Sequence, residues 1–183
     1  MARPRTFDRD DALDVAMRLF WEKGYDQTSI ADLTAAIGIS PPSLYAAFGD
    51  KRRLFEEAAD RYDRTEGFTT AALEEPTTRA AVARLLGDAA VEYTRRGQPR
   101  GCMVLAEPHL GAHRAASRRA LTARIERGVA EGELPPDTDV EGLVSYVVVV
   151  LSGLSARARD GASRAELAAS AEVALAAWPG PPG

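Results

Sequence analysis

The sequence predicts an all-α protein with a small N-terminal head and a longer helical body. Three observations carry that expectation. Of the 183 residues, 45% are hydrophobic, with abundant Ala and Leu, the composition of packed helices. No run alternates apolar and polar residues as a half-buried strand does. Polar caps, apolar residues at helical spacing and glycine stops recur in that order along the chain.

The first element reads as an amphipathic helix from Asp8 to Lys23. Ala12, Val15, Ala16, Leu19 and Phe20 follow helical spacing, and Gly24 closes it. Thr28 to Tyr45 then reads as two short helices bent around Gly38. Thr28 or Ser29 can accept from free N–H groups at the first helix start, and Ser29-x-x-Asp32 fits a capping box. Ile30, Leu33 and Ile37 form its apolar set, and Gly38 supplies the positive φ that ends it. Ile39 drops between the helices. Ser40 caps the second, and Pro41 takes its first position, where a missing N–H costs nothing. Pro42 removes another donor, so side chains must do more at this end. Leu44 and Phe48 anchor the helix.

Two short helices around a glycine turn fit a plain hairpin in a bundle. They also fit the helix-turn-helix whose second member enters the DNA major groove. The basic residues just beyond the second helix favour DNA. Lys51, Arg52 and Arg53 crowd the N-terminus of a helix opened by Asp50, where the macrodipole disfavours cations by about 0.3–1 kcal/mol each. A bound phosphate offsets that cost; a solvated basic turn is the alternative.

The body divides at glycine and proline stops. Helices are expected from Asp50 to about Glu66, Thr77 to Arg96, Ala112 to Glu131, Thr138 to Ala158 and Ser163 to Trp178. A short apolar segment, Cys102 to Leu110, comes after the break at Gly97 to Gly101. Net charge is −4, yet residues 1–53 hold eight basic and eight acidic groups, which assigns the acidic excess to the body. One cysteine, Cys102, fits a reducing cytoplasm, and a polar N-terminus gives no leader. The most apolar stretch, Gly142 to Ala156, is 15 residues, short of the ~18 of a spanning helix, so no membrane partner is expected.

The run from Phe7 to Phe55 resembles the N-terminal domain of the TetR (tetracycline-repressor) family of bacterial transcriptional regulators. The resemblance rests on Leu19-Phe20, Gly24-Tyr25, Thr28-Ser29-Ile30, Gly38-Ile39-Ser40, Ser43-Leu44-Tyr45 with Phe48, Asp50-Lys51 and Leu54-Phe55. Thr34 departs from the small Ala usual at its place. The resemblance implies a three-helix helix-turn-helix DNA-binding domain over residues 1–49 and a helical effector-binding and dimerisation domain over 50–183. By position, Thr28 and Ser40 resemble phosphate-contacting caps, Tyr45 a backbone-contacting aromatic and Lys51 a phosphate-binding lysine. Pro41, Pro42, Ser43 and Ala46 take the base-facing places. They include no Arg, Asn or Gln, so bidentate reading of guanine or adenine is absent and thymine methyls and shape weigh more. Arg3 and Arg5 form an arm suited to the minor groove or phosphates.

The same resemblance implies a homodimer on a palindromic DNA operator, released by a small-molecule effector. Val144, Val147, Val148, Leu151, Leu154, Leu167, Leu175 and Trp178 are the dimer candidates. Effector candidates are Tyr62, Phe68, Leu86, Tyr93, Met103, Leu105, Glu107, His109, Leu110 and His113. Arg100-Gly-Cys-Met103 with the later Gly-Glu-Leu-Pro135 resembles a subgroup of that family. No cofactor or resident metal is expected; His109 and His113, with Cys102 and Glu107 near, leave a metal-responsive repressor as an alternative. A homologue acting only through protein partners is another. No Gly-rich phosphate loop, nucleophile elbow or paired carboxylates point to an enzyme.

Overall fold

The structure is a computed structural model describing residues 7–65 and 67–179, and among these every regular element is helical. It forms two compact units, Met1–Glu66 and Gly67–Gly183. The first unit runs past residue 49, the end expected for the DNA-binding domain, and takes in the next helix.

The first unit contains α1 (Arg9–Lys23), α2 (Ile30–Ile37), α3 (Pro41–Phe48) and α4 (Lys51–Thr65). The fourth helix belongs to the head because its apolar face lies along α1. Leu54, Phe55, Ala58, Ala59 and Tyr62 are buried on it. Phe55 meets Phe20 edge-on at 5.1 Å, and Tyr62 meets Trp21 at 4.9 Å. Arg61 closes the seam with two hydrogen bonds to the Asp14 carboxylate, at 2.9 and 3.0 Å. Tyr62, an effector candidate, is thus core of the first unit.

Local caps match the sequence closely. Ser29 and Asp32 form the full capping box at α2, and Gly38 ends the helix at φ 78°. Thr34 occupies a buried place by donating its hydroxyl back to the carbonyl of Ile30 at 2.9 Å. Hydrogen bonds from the Ser29 hydroxyl and amide, with Lys23 beside them, hold the Asp32 carboxyl at a pKa of about 2. A depressed carboxylate contributes stability above its ordinary pKa, and that stability is lost as pH falls through the folded value. The destabilisation of Asp32→Ala relative to wild type is therefore expected to be constant at neutral pH and to shrink progressively as pH falls below 3.8 and through about 2. Acid unfolding of both proteins, monitored by circular dichroism, checks it.

The second unit contains α5 (Thr69–Leu73), α6 (Thr78–Glu92), α7 (Met103–Ala106), a 3-10 turn at Pro108–Leu110, α8 (Gly111–Ala130), α9 (Val140–Arg159) and α10 (Arg164–Ala176). Helix α6 is central, packing on α5, α8, α9 and α10. It ends at Glu92 rather than continuing to Arg96, and the Gly101 amide donates to the Tyr93 carbonyl at 3.0 Å.

The segment after that break clamps the end of α9. Arg100 donates through Nε to the Ala158 carbonyl at 2.6 Å and through Nη2 to that of Ala162. Gly101 sits at φ +77°, where a Cβ would lie 2.8 Å from the Ser155 carbonyl oxygen, and the Cys102 amide donates to Ser155 Oγ at 2.9 Å. Gly128, on α8, lies against buried Thr78, which joins Glu133 and Arg124 in a polar knot at the start of α6.

The dimer candidates separate into two groups. Val144, Val147, Leu154, Leu167 and Trp178 are buried within this unit, so they are core of the single chain. Val148, Leu151 and Leu175 are half-buried. The large apolar side chains left exposed on the same two helices are Val149 (65%) and Val173 (74%). Helix α9 runs 20 residues, longer than the apolar stretch read from sequence, and by length and composition alone it could cross a membrane. Its inner face packs on α6, α7, α8 and α10.

Candidate DNA interface

In the first unit, α3 buries Leu44 and Phe48 and turns Pro41, Pro42, Tyr45 and Ala46 outward. These four recur at i, i+1, i+4 and i+5, which is one face of a helix. Ser40 caps the helix, accepting from the Ser43 amide at 3.4 Å and sharing a hydroxyl hydrogen bond with Ser43 at 2.9 Å. Ser43 is half-buried, so its hydroxyl serves the cap before any base. Tyr45 is 47% exposed beside it.

Helix α4 starts next in the chain. Asp50 accepts from the Arg53 amide at 2.8 Å, leaving the remaining first-turn amides and the dipole directed outward. Lys51 is half-buried, with Nζ 4.1 Å from the centre of the Tyr25 ring. Arg52 lies 5.9 Å from that ring and pairs with Glu56 at 2.7 Å. The ring holds the ammonium by cation–π attraction, so little side-chain freedom remains to be lost on meeting a phosphate.

Thr28 departs from its expected role. It is completely buried and donates its hydroxyl to the Gly24 carbonyl at 2.7 Å, while its neighbour Ser29 caps α2. A phosphate contact from its side chain is therefore closed off. Arg3 and Arg5 lie outside the described residues.

Sequence reasoning missed Arg9. Its guanidinium lies 4.5 Å over the Phe48 ring, donates to the Ala47 carbonyl at 3.3 Å and makes two bonds to the Glu57 carboxylate at 2.9 and 2.7 Å. One side chain thus ties α1, the last turn of α3 and α4 together. The missed signal was the same as for Lys51: a cation at a helix N-terminus, against the dipole. Arg9→Met is expected to lower operator affinity several-fold without changing the salt slope, because it tilts α3 rather than removing a phosphate contact. Titrations at four salt concentrations measure both quantities.

The remaining effector candidates lie in the second unit. Leu86, Met103 and Leu110 are buried, and Tyr93 is buried with its ring 5.9 Å from Phe68. Burial, then the Cys102 thiol beside it, raise the Tyr93 hydroxyl well above its ordinary pKa. Glu107 is buried and accepts from the His109 amide at 3.1 Å; Leu105 and His113 are half-buried and His109 exposed. Among the described residues no three His, Cys, Asp or Glu side chains group as metal ligands.

A capped two-helix turn, an outward α3 face and a cationic start to α4 define a helix-turn-helix DNA-binding protein. The profile of the family described as "Bacterial regulatory proteins, tetR family" matches residues 12–58. The HTH-type transcriptional repressor ComR of Escherichia coli (strain K12) is 38% identical, the match covering 97% of this chain and 91% of that protein. The HTH-type transcriptional repressor BdcR of the same organism is 34% identical over 94% of this chain and 89% of that one. A solved structure of the TetR family transcriptional regulator CifR, a cysteine mutant complexed with 26bp double-strand operator DNA, is 43% identical. It covers 97% of this chain and 100% of its own, with a TM-score of 0.91. This chain belongs to the TetR family. It is a transcriptional regulator that binds double-stranded DNA, in a class that is cytoplasmic and non-enzymatic.

Proposed function

We propose that the protein is a repressor that binds a roughly palindromic operator as a homodimer and leaves it when a small molecule binds the second unit. The observation that carries the DNA part is the pair formed by the outward face of α3 and the ring-held Lys51 at the start of α4. Lys51, Ser40, Tyr45 and the Arg3–Arg5 arm anchor the backbone; Pro41, Pro42 and Ala46 face the bases, with Ser43 turned to the cap between them. ComR and BdcR are named as repressors, which supports repression here. When on its operator the protein is nucleoid-associated.

Dimerisation is supported by the apolar outer side of α9 and α10. Val149 and Val173 are exposed there, with the small residues Gly153, Ala156, Ala165 and Ala169 also facing solvent. Two such helices from each subunit make a four-helix contact across a two-fold axis. Val149→Glu combined with Val173→Glu is expected to halve the mass measured by light scattering. An unchanged mass of two chains would move the interface elsewhere.

The effector acts by linkage. A ligand that prefers the dimer spacing unsuited to successive major grooves lowers operator affinity by its differential affinity for the two states. The region around Phe68, Leu86, Tyr93, Met103, Leu105, Glu107, His109, Leu110 and His113 is its proposed place. Retention of genomic fragments by the purified protein tests the operator, and release of a retained fragment by small molecules tests the effector. Failure to enrich any fragment would overturn the reading.

A further inference from the structure

The tip of α3 presents almost nothing that hydrogen-bonds. Its sequence, Pro-Pro-Ser-Leu-Tyr-Ala-Ala-Phe, contains no charged, amide or imidazole side chain. Pro41 and Pro42 carry no N–H, the Ser43 amide is taken by Ser40 Oγ, and the Leu44 amide by the Ser40 carbonyl. The Ser43 hydroxyl is paired with Ser40 at 2.9 Å. What remains at the N-terminal end, the end of a recognition helix that meets base edges, is two pyrrolidine rings, the methyl of Ala46 and the one hydroxyl proton that the Ser40–Ser43 pair does not use.

The major groove offers guanine two acceptors, adenine an acceptor and a donor, and cytosine a donor. Thymine alone adds an apolar group, its 5-methyl. A tip with no guanidinium, ammonium or amide side chain cannot address guanine N7 and O6 together, whereas pyrrolidine carbons and an alanine methyl complement thymine. Resting on the proposed operator reading, we infer that Pro41, Pro42 and Ala46 are specificity-determining residues that select thymine methyls, making the contacted part of each half-site thymine-marked.

Deoxyuridine tests this directly, since it keeps every hydrogen-bonding group of thymine and lacks only the methyl. A randomised duplex library is selected with the full-length protein, and the enriched duplex is remade with deoxyuridine at one thymine at a time. Affinity is expected to fall about fourfold for each contacted thymine, the equivalent of ~0.8 kcal/mol for one methyl-sized group. Deoxyuridine in the flanks leaves affinity unchanged, and the salt slope stays constant throughout. Ala46→Gly brings the thymine-to-uracil ratio toward one at a single position; a ratio is insensitive to the fraction of protein folded. Enrichment with full affinity at every deoxyuridine, or discrimination centred on guanines that 7-deazaguanine abolishes, overturns the inference alone. Binding without enrichment overturns it too. No binding even at low salt overturns the DNA reading beneath it.

Discussion

Lys51→Ala is expected to weaken binding to every double-stranded DNA the protein holds, by about tenfold, or ~1.4 kcal/mol. The lysine is already held 4.1 Å from the Tyr25 ring centre at the start of a 15-residue helix, so on the proposed reading its charge and the dipole of α4 would act on the same phosphate. Each lost phosphate contact lowers the slope of log affinity against log salt by about 0.9. Phosphates carry no sequence information, so strong and weak operators should lose affinity by the same factor. Folding should change little. Removing a cation from a helix N-terminus gains about 0.3–1 kcal/mol, and losing the cation–π contact costs about 0.5–1 kcal/mol. Tyr25→Phe keeps the ring and should bind nearly as wild type, whereas Tyr25→Ala should approach Lys51→Ala. Anisotropy titrations with two unrelated duplexes check the set; losses confined to one duplex would contradict it.

Gly128→Ala is expected to destabilise the second unit by about 2–4 kcal/mol, although glycine to alanine inside a helix ordinarily stabilises by about 1 kcal/mol. The sign reverses because the new Cβ would run into Thr78 Oγ1 and lie 3.1 Å from Thr78 Cβ. Thr78 has no room to yield. It is completely buried, its hydroxyl donates to Glu133 Oε2 at 2.5 Å, and Arg124 Nη1 donates to that hydroxyl at 2.8 Å. Burial pushes the Glu133 carboxyl up, but the Thr78 hydroxyl and amide with Arg124 outweigh it and hold the pKa below the ordinary value. Displacing Thr78 therefore combines overpacking with broken charge-assisted bonds. A thermal melt should show a midpoint lowered by about 5–10 °C. A midpoint at or above wild type would show the knot to be loose.

The head was legible because its signals are local. Ser29, Asp32, Gly38, Ser40 and Pro41 each act within a few residues, and the structure has them as caps and stops. Thr28 and Ser29 were equal candidates on sequence; burial decided between them. The partners of Arg9 were not legible because Ala47 and Glu57 lie 38 and 48 residues away. The packing of α4 on α1 was not legible for a similar reason, since the two are distant in sequence. Helix α5, five residues without a side-chain cap, offered nothing to read. Helix α9 is apolar nearly all round, from Val144 through Leu151, so its pattern could not distinguish the inner from the outer face. That ambiguity put three core residues of α9, Val144, Val147 and Leu154, among the dimer candidates.

The central claim is that the outward face of α3 and the cationic start of α4 form one DNA-binding surface. The most direct test is the salt dependence of binding to a genomic fragment that the protein itself retains, measured for wild type and Lys51→Ala. A steep inverse dependence is expected for wild type, with a slope shallower by about 0.9 per lost contact in the variant. Superimposable lines for the two proteins would contradict the claim.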